Sequence, residues 1–218
     1  MKFLKALIGI LLLPLCAGGA VALFKVLSQS ARPEAPTVML LCGVACWLVL
    51  FWLLPKPMWL YVVGHELTHA LWTWLFGGKV KKIKATSQGG HVIITKSNFL
   101  ISLAPYFFPF YAACVALVFF SGSLIWNWSR FSLLFHLLLG AAYGFHVTLT
   151  AHILQTRQTD ITDHGWIFSC VIIWLGNVAV LVCALPILTG TMEVGAALKL
   201  WLNATIAILR WLVRFKTG

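Results

Sequence analysis

Six stretches of this 218-residue chain, at residues 3–27, 38–54, 58–76, 99–120, 131–154 and 166–188, are largely apolar, and a seventh, at 194–215, is apolar but interrupted by charges. Each approaches or exceeds the roughly 20 residues that a helix needs to cross a bilayer. In hydrocarbon every backbone N–H and C=O must be bonded within the segment or its neighbours, so such stretches are expected to be helices. With 61% hydrophobic and only 10% charged residues, a soluble globular domain is excluded. The chain reads as an all-α polytopic membrane protein of six to seven transmembrane or interfacial helices, with a short β-hairpin-like insertion after the third stretch. The seventh stretch carries Lys199, Asn203, Arg210 and Arg214 at near-helical spacing. It suits a helix lying in the headgroup region, or strongly tilted, better than an upright span. One membrane domain over 1–218 is expected: an N-terminal helical pair over 1–57, a core over 58–188 and an amphipathic basic helix over 189–218.

The net charge of +11 comes from lysines and arginines that flank the apolar stretches and do not form one soluble patch, which argues against nucleic acid. Their placement instead speaks to membrane orientation. Lys79, Lys81, Lys82 and Lys84 form the largest cluster, and the positive-inside bias puts them on the cytoplasmic side, with Lys56 opposite. A bacterial cytoplasmic membrane is the expected location. Lys2 and Lys5 precede an apolar run that continues to Lys25, longer than a cleavable signal, so it reads as an anchor. The six cysteines lie in apolar stretches without paired metal-like spacing, apart from Cys42 and Cys46 at i, i+4, and read as buried small hydrophobes, with no disulfide framework.

Within the third stretch stands His65-Glu66-Leu67-Thr68-His69, an HExxH sequence. Ionisable groups at bilayer depth are costly, so they point to function when a partner can be named. A metal ion is such a partner. Positions i and i+4 share one face of a helix, so His65 and His69 can each direct a ring nitrogen at one zinc ion while Glu66 flanks its water. Zinc lowers the pKa of that water toward about 7, and Glu66 can move the proton to a leaving amine as general base. Gly64 and Ala70 beside the motif, and Gly77-Gly78 after it, let neighbouring segments approach closely.

After the motif helix, alternation near Val80 to Lys84 and β-branched residues near Val92 to Thr95 predict two short strands joined through Gly89-Gly90. An open edge of such a hairpin could pair with an extended substrate, and a basic loop on anionic headgroups is the competing reading. Pro105 and Pro109 then interrupt the helical ladder of the fourth stretch. At membrane depth that requires side chains, neighbours or a wet cavity to satisfy the freed carbonyls.

A hydrolytic zinc site takes three protein ligands and a water. The chain has five carboxylates: Glu34 and Glu193 lie in connections and Glu66 is the base, which leaves Asp160, with Asp163 as the alternative third ligand. His164 would share a face with Asp160 if a helix begins near Gln158, as a partner or rival of the ligand. His69 is ten residues from Lys79, about 15 Å along a helix, so an interfacial Asp160 would have to dip inward to reach it. His91 and His136 read as structural, whereas His146 and His152 are minor candidates for touching the metal or its surroundings. Asn177 could clamp an extended backbone or bond between helices.

Gly64-His65-Glu66-Leu67-Thr68-His69-Ala70, Gly77-Gly78, Gly89-Gly90-His91-Val92, Ala104-Pro105-Tyr106 and Gln158-Thr159-Asp160-Ile161 with Gly165 together resemble the site-2 protease family of intramembrane zinc metalloproteases. The resemblance covers about residues 58–177. It implies three or more helices holding Zn2+ within the membrane, His65 and His69 with an Asp as ligands, Glu66 as general base, and cleavage of membrane-protein or membrane-peptide segments. In that family the Asp often lies in a Leu-Asp-Gly or Asn-Pro-x-x-x-Asp-Gly setting. Here Ile161 follows Asp160 and Gly165 stands five positions on, as in a divergent, compact branch. No PDZ-like module is expected within the chain, and a homo-oligomer is compatible with it. The competing readings are a catalytically inactive metal-binding scaffold and an HtpX-type membrane zinc protease, whose downstream Glu ligand pattern is not supplied around Glu193.

Overall fold

The computed structural model describes residues 2–31, 34–86 and 89–217. In chain order the elements are α1 (Lys2–Leu11), α2 (Leu13–Ser30), α3 (Ala35–Leu53), α4 (Met58–Leu75), β1 (Val80–Thr86), β2 (Gly89–Ile94), α5 (Phe99–Leu103), α6 (Phe110–Trp126), α7 (Ser132–Ile153), α8 (Thr159–Thr162), α9 (Trp166–Thr189) and α10 (Val194–Thr217). Short 3-10 turns lie at Ala104–Tyr106 and Trp128–Phe131. Among the described residues five helices are long and apolar enough to cross a membrane: α2, α3, α7 with the turn before it, α9, and Val194–Arg214 of α10. The segments Phe99–Tyr106 and Phe110–Trp126 make a sixth span if the pair, bent by 83°, counts as one. This is compatible with an all-α membrane protein carrying one small antiparallel sheet.

The helix that carries the HExxH sequence is not among the five. Its 18 residues hold Gly64, His65, Glu66, Thr68, His69 and Thr73, and those polar and small residues lower its hydropathy. The first apolar stretch is divided at Leu12, just before Pro14 near the start of α2. The last stretch has the length and hydropathy to cross, beyond the interfacial character its charges suggest.

The chain divides into two compact units, Met1–Arg32 with Thr159–Gly218, and Pro33–Gln158. In the first, α2 packs on α9 and α10, and α1 on α9. Its core gathers Val26, Val178, Val182 and Ala197 against Leu23, Leu185, Met192 and Trp201. Ala197, Trp201 and Thr205 recur every four residues along α10 and turn inward to varying degrees, whereas Lys199, Asn203, Arg210 and Arg214 are exposed. The Trp201 indole donates to the carbonyl of Leu15 at 2.9 Å, joining α10 to α2.

The second unit is built on α3 and α7, which run parallel at backbone contact. A Cβ at Gly43 would lie 2.0 Å from the carbonyl oxygen of Leu137, and one at Gly140 would lie 2.0 Å from that of Leu40. Only glycine permits this approach, the close packing that membrane helices use in place of hydrophobic drive. One turn on, Gly144 faces Trp47, whose indole donates to the Thr148 hydroxyl at 2.8 Å. Leu41, Val49, Trp52 and Leu53 on α3 point outward, as befits a lipid-facing surface. Tyr61 and Val62 of α4 join Phe145 and Leu149 of α7 in the core of this unit.

Strands β1 and β2 pair antiparallel from Val80↔Ile94 to Thr86↔Gly89, with an irregularity between Val80 and Lys82. Gly89 and Gly90 open β2 and do not form the joint between strands, because both find partners in β1. The residues that join the strands, 87–88, lie outside the described set.

Candidate metal centre

The middle of helix α4, from Tyr61 to Thr73, is packed nearly all round. Tyr61, Val62, Gly64, Glu66, Thr68, Ala70 and Thr73 are buried, and His65 and His69 are half-buried. Its hydroxyls are satisfied along the helix, Thr68 donating to the Gly64 carbonyl at 2.7 Å and Thr73 to that of His69 at 2.8 Å. The helix stops at Gly77, whose φ of 68° lets Gly78 N–H turn back to the Thr73 carbonyl at 2.8 Å. One turn apart, the rings of His65 and His69 stand with centroids 4.9 Å apart and planes at 76°.

The proline-broken segment fixes the second imidazole. Asn98 caps α5 by accepting from Ile101 N–H at 2.9 Å. Within that helix the Ile101 carbonyl would ordinarily accept from residue 105, but Pro105 has no N–H. The carbonyl accepts instead from His69 Nδ1 at 2.8 Å. Since a carbonyl only accepts, the proton sits on Nδ1 and the lone pair on Nε2, the arrangement of a metal-ligating histidine held by its other nitrogen. The break thus satisfies its freed carbonyl with a side chain.

Glu66 is 5% exposed and lies beneath the hairpin. A Cβ at Gly90 would be 2.6 Å from Glu66 Oε1 and 2.7 Å from its Cγ. The glycine pair that reads as a turn in the sequence therefore provides, at Gly90, the space for the carboxylate. Tyr106 stands edge-on to His65 at 5.2 Å between ring centroids, a contact with no separate signal in the sequence. Gly64, His65 and Thr68 of α4, Pro105, and Phe145 and His146 of α7 are among the residues lining a cavity of about 20 Å³.

Asp160 lies in the first turn of the one-turn helix α8 and is half-buried, whereas Asp163 is exposed. Fully buried Ile161 anchors α8: its carbonyl accepts from Ser169 Oγ at 3.1 Å and Gly165 N–H at 2.9 Å. Tyr106 also donates to Gln158 Oε1 at 3.5 Å, so the chain two residues before Asp160 sits beside the aromatic ring that touches His65. Two imidazoles and a carboxylate form a suitable donor set for zinc. Among the described residues, His65, His69 and Asp160 make up a group that could hold a metal ion.

His164 does not share a helix with Asp160, because α8 ends at Thr162 and the long helix begins only at Trp166. Its Nδ1 accepts from the Lys5 ammonium at 2.5 Å. Burial first, and the Lys5 charge second, push its pKa below the ordinary 6.5, against the opposing pull of Asp163 and Asp160. His136 Nδ1 donates to the Ser132 carbonyl at 2.7 Å within α7. His91 is exposed on β2, His152 is half-buried on the last turn of α7, and Asn177 Nδ2 donates to the Ile173 carbonyl at 2.9 Å.

Comparison with protein-family models, with curated proteins and with solved structures finds no match.

Proposed function

We propose that this chain is an intramembrane zinc metalloprotease of the site-2 protease type, hydrolysing peptide bonds of membrane-protein segments, with His65, His69 and Asp160 holding the ion. The observation that carries the reading is the pairing of two imidazoles one turn apart with the Ile101 carbonyl on the far nitrogen of His69. A zinc ion held there supplies Lewis-acid activation of a water molecule and of the scissile carbonyl. Glu66, adjacent to His65 and screened by Gly90 of β2, takes a proton at a carboxylate oxygen and returns it to the leaving amine nitrogen. The hairpin keeps bulk water from this carboxylate and offers backbone groups to an extended substrate. The lysines of β1 support, by the positive-inside bias, a cytoplasmic side for the end of α4.

The reading is tested by purifying the wild type and Glu66→Gln in detergent, counting zinc per chain, and assaying cleavage of single-span membrane segments. Zinc in both proteins with cleavage only by the wild type supports it. Zinc without cleavage in any detergent or bilayer favours the scaffold reading, and absence of zinc removes the metal from the account.

A further inference from the structure

A ligating imidazole gives one ring nitrogen to the ion, and its other nitrogen needs a partner to fix the ring. For His69 that partner is the Ile101 carbonyl. We infer that His146 serves His65 in the same way, through one water molecule in the cavity both histidines line; the inference rests on the metal reading above.

Three observations within the second unit converge on this. His146 is 6% exposed, and its Nε2 has no hydrogen-bond partner among the described residues. The large majority of buried polar side-chain atoms in folded proteins are bonded, to protein or to ordered water, so this nitrogen calls for a ligand. The cavity of about 20 Å³ exceeds the roughly 10–15 Å³ that one water needs and is too small for a peptide. Its lining includes the rings of His65 and His146, the side chain of Thr68, and Tyr61 and Tyr111, whose hydroxyls bond to the Thr150 hydroxyl and the Leu60 carbonyl. The Thr68 hydroxyl spends its proton on the Gly64 carbonyl and keeps lone pairs, so the water finds the two to four partners it requires.

The position of His146 is well fixed. The preceding residue, Phe145, packs between Trp47, tilted at 5.0 Å, and Tyr111, edge-on at 5.2 Å, and α7 is locked to α3 at Gly140. His146 is not part of the ligand group itself. It acts through His65 and is a positioning residue, so its removal changes how tightly and in what geometry the ion is held.

Cobalt substitution tests this without a substrate. The full-length wild type, His146→Leu and His146→Gln are purified in detergent and titrated with Co2+, with binding read from visible absorption and folding from circular dichroism. Loss of a histidine's outer partner weakens metal binding by about 10- to 100-fold. His146→Leu is expected to fall in that range with altered absorption bands, and His146→Gln, which keeps a donor and an acceptor, to recover most of the affinity. A folded His146→Leu protein with wild-type affinity and bands overturns the inference and leaves the metal reading intact. A wild type that binds no Co2+ overturns both. If the leucine variant does not fold, His146→Phe takes its place with the same two outcomes.

Discussion

His69 Nδ1 lies 2.8 Å from the carbonyl oxygen of Ile101, and that carbonyl is available because Pro105, four residues on, lacks an N–H. A helix defect and an oriented imidazole are one feature. Pro105→Ala restores a competing donor, so zinc affinity is expected to fall by up to about tenfold. Pro109→Ala, whose missing N–H would have bonded the Pro105 carbonyl, should leave affinity unchanged. Competition with a chromogenic chelator checks both; equal affinities for the two variants contradict the link.

Glu66→Gln keeps the shape of the side chain and removes its basicity. Proteolysis is expected to drop by about 10²- to 10⁴-fold, the usual contribution of a positioned general base, with zinc content unaltered. Activity within tenfold of wild type, in a zinc-replete preparation, would assign the proton transfer elsewhere.

Gly90→Ala places a methyl group 2.6 Å from Glu66 Oε1. Either β2 or the carboxylate must shift, and a displacement of about 1 Å in a reacting group can cost on the order of 100-fold in rate. The expected outcome is impaired cleavage at normal zinc occupancy. At Gly89 nothing lies within 4 Å of an added Cβ but φ is +144°, so Gly89→Ala should perturb the hairpin backbone without a direct clash. Cleavage assays on the pair, with zinc analysis alongside, separate the two effects.

Gly140→Ala drives a Cβ to 2.0 Å from the Leu40 carbonyl oxygen. Overpacking of this kind costs about 1–3 kcal/mol, and a lowered unfolding midpoint in a detergent series is the readout. Gly195→Ala, where nothing lies within 4 Å, serves as the neutral comparison.

Burial of His164 and, second to it, the adjoining Lys5 charge make the first unit sensitive to acid. His164 has a folded pKa below its ordinary 6.5, so the unfolded chain binds its proton more readily. Stability is therefore full above about pH 6.5 and declines as pH falls toward the folded value. Lys5→Met removes one of the depressing influences and should make unfolding midpoints less dependent on pH between 7.5 and 5.5. A steeper dependence in that variant would contradict the sign.

The sequence carried the grouping of the site's side chains further than their packing. HExxH has one geometric solution on a helix, so the His65–His69 pairing followed from spacing alone, and the two prolines announced a broken segment. Ile101 as the recipient of His69 was not legible, because the bond joins a backbone atom to a residue 32 positions away. Gly90 was misplaced in a turn, since a glycine needed for close approach looks the same as one needed for a bend. The small residues Gly140 and Gly144, spaced by four on an apolar helix, did hold a signal for the α3–α7 contact that the hydropathy reading passed over. A helix starting near Gln158 would bring His164 beside Asp160; Gly165, with φ at 89°, instead ends the local turn and sends the chain into α9.

The most direct test of the central claim is zinc K-edge X-ray absorption on the purified wild type, His69→Ala and Asp160→Asn. The expected result is about one zinc per chain with two imidazole nitrogens and oxygen ligands at roughly 2.0–2.2 Å, and markedly reduced zinc in both variants. Zinc absent from the wild type, bound through sulfur, or retained in full by His69→Ala would contradict it.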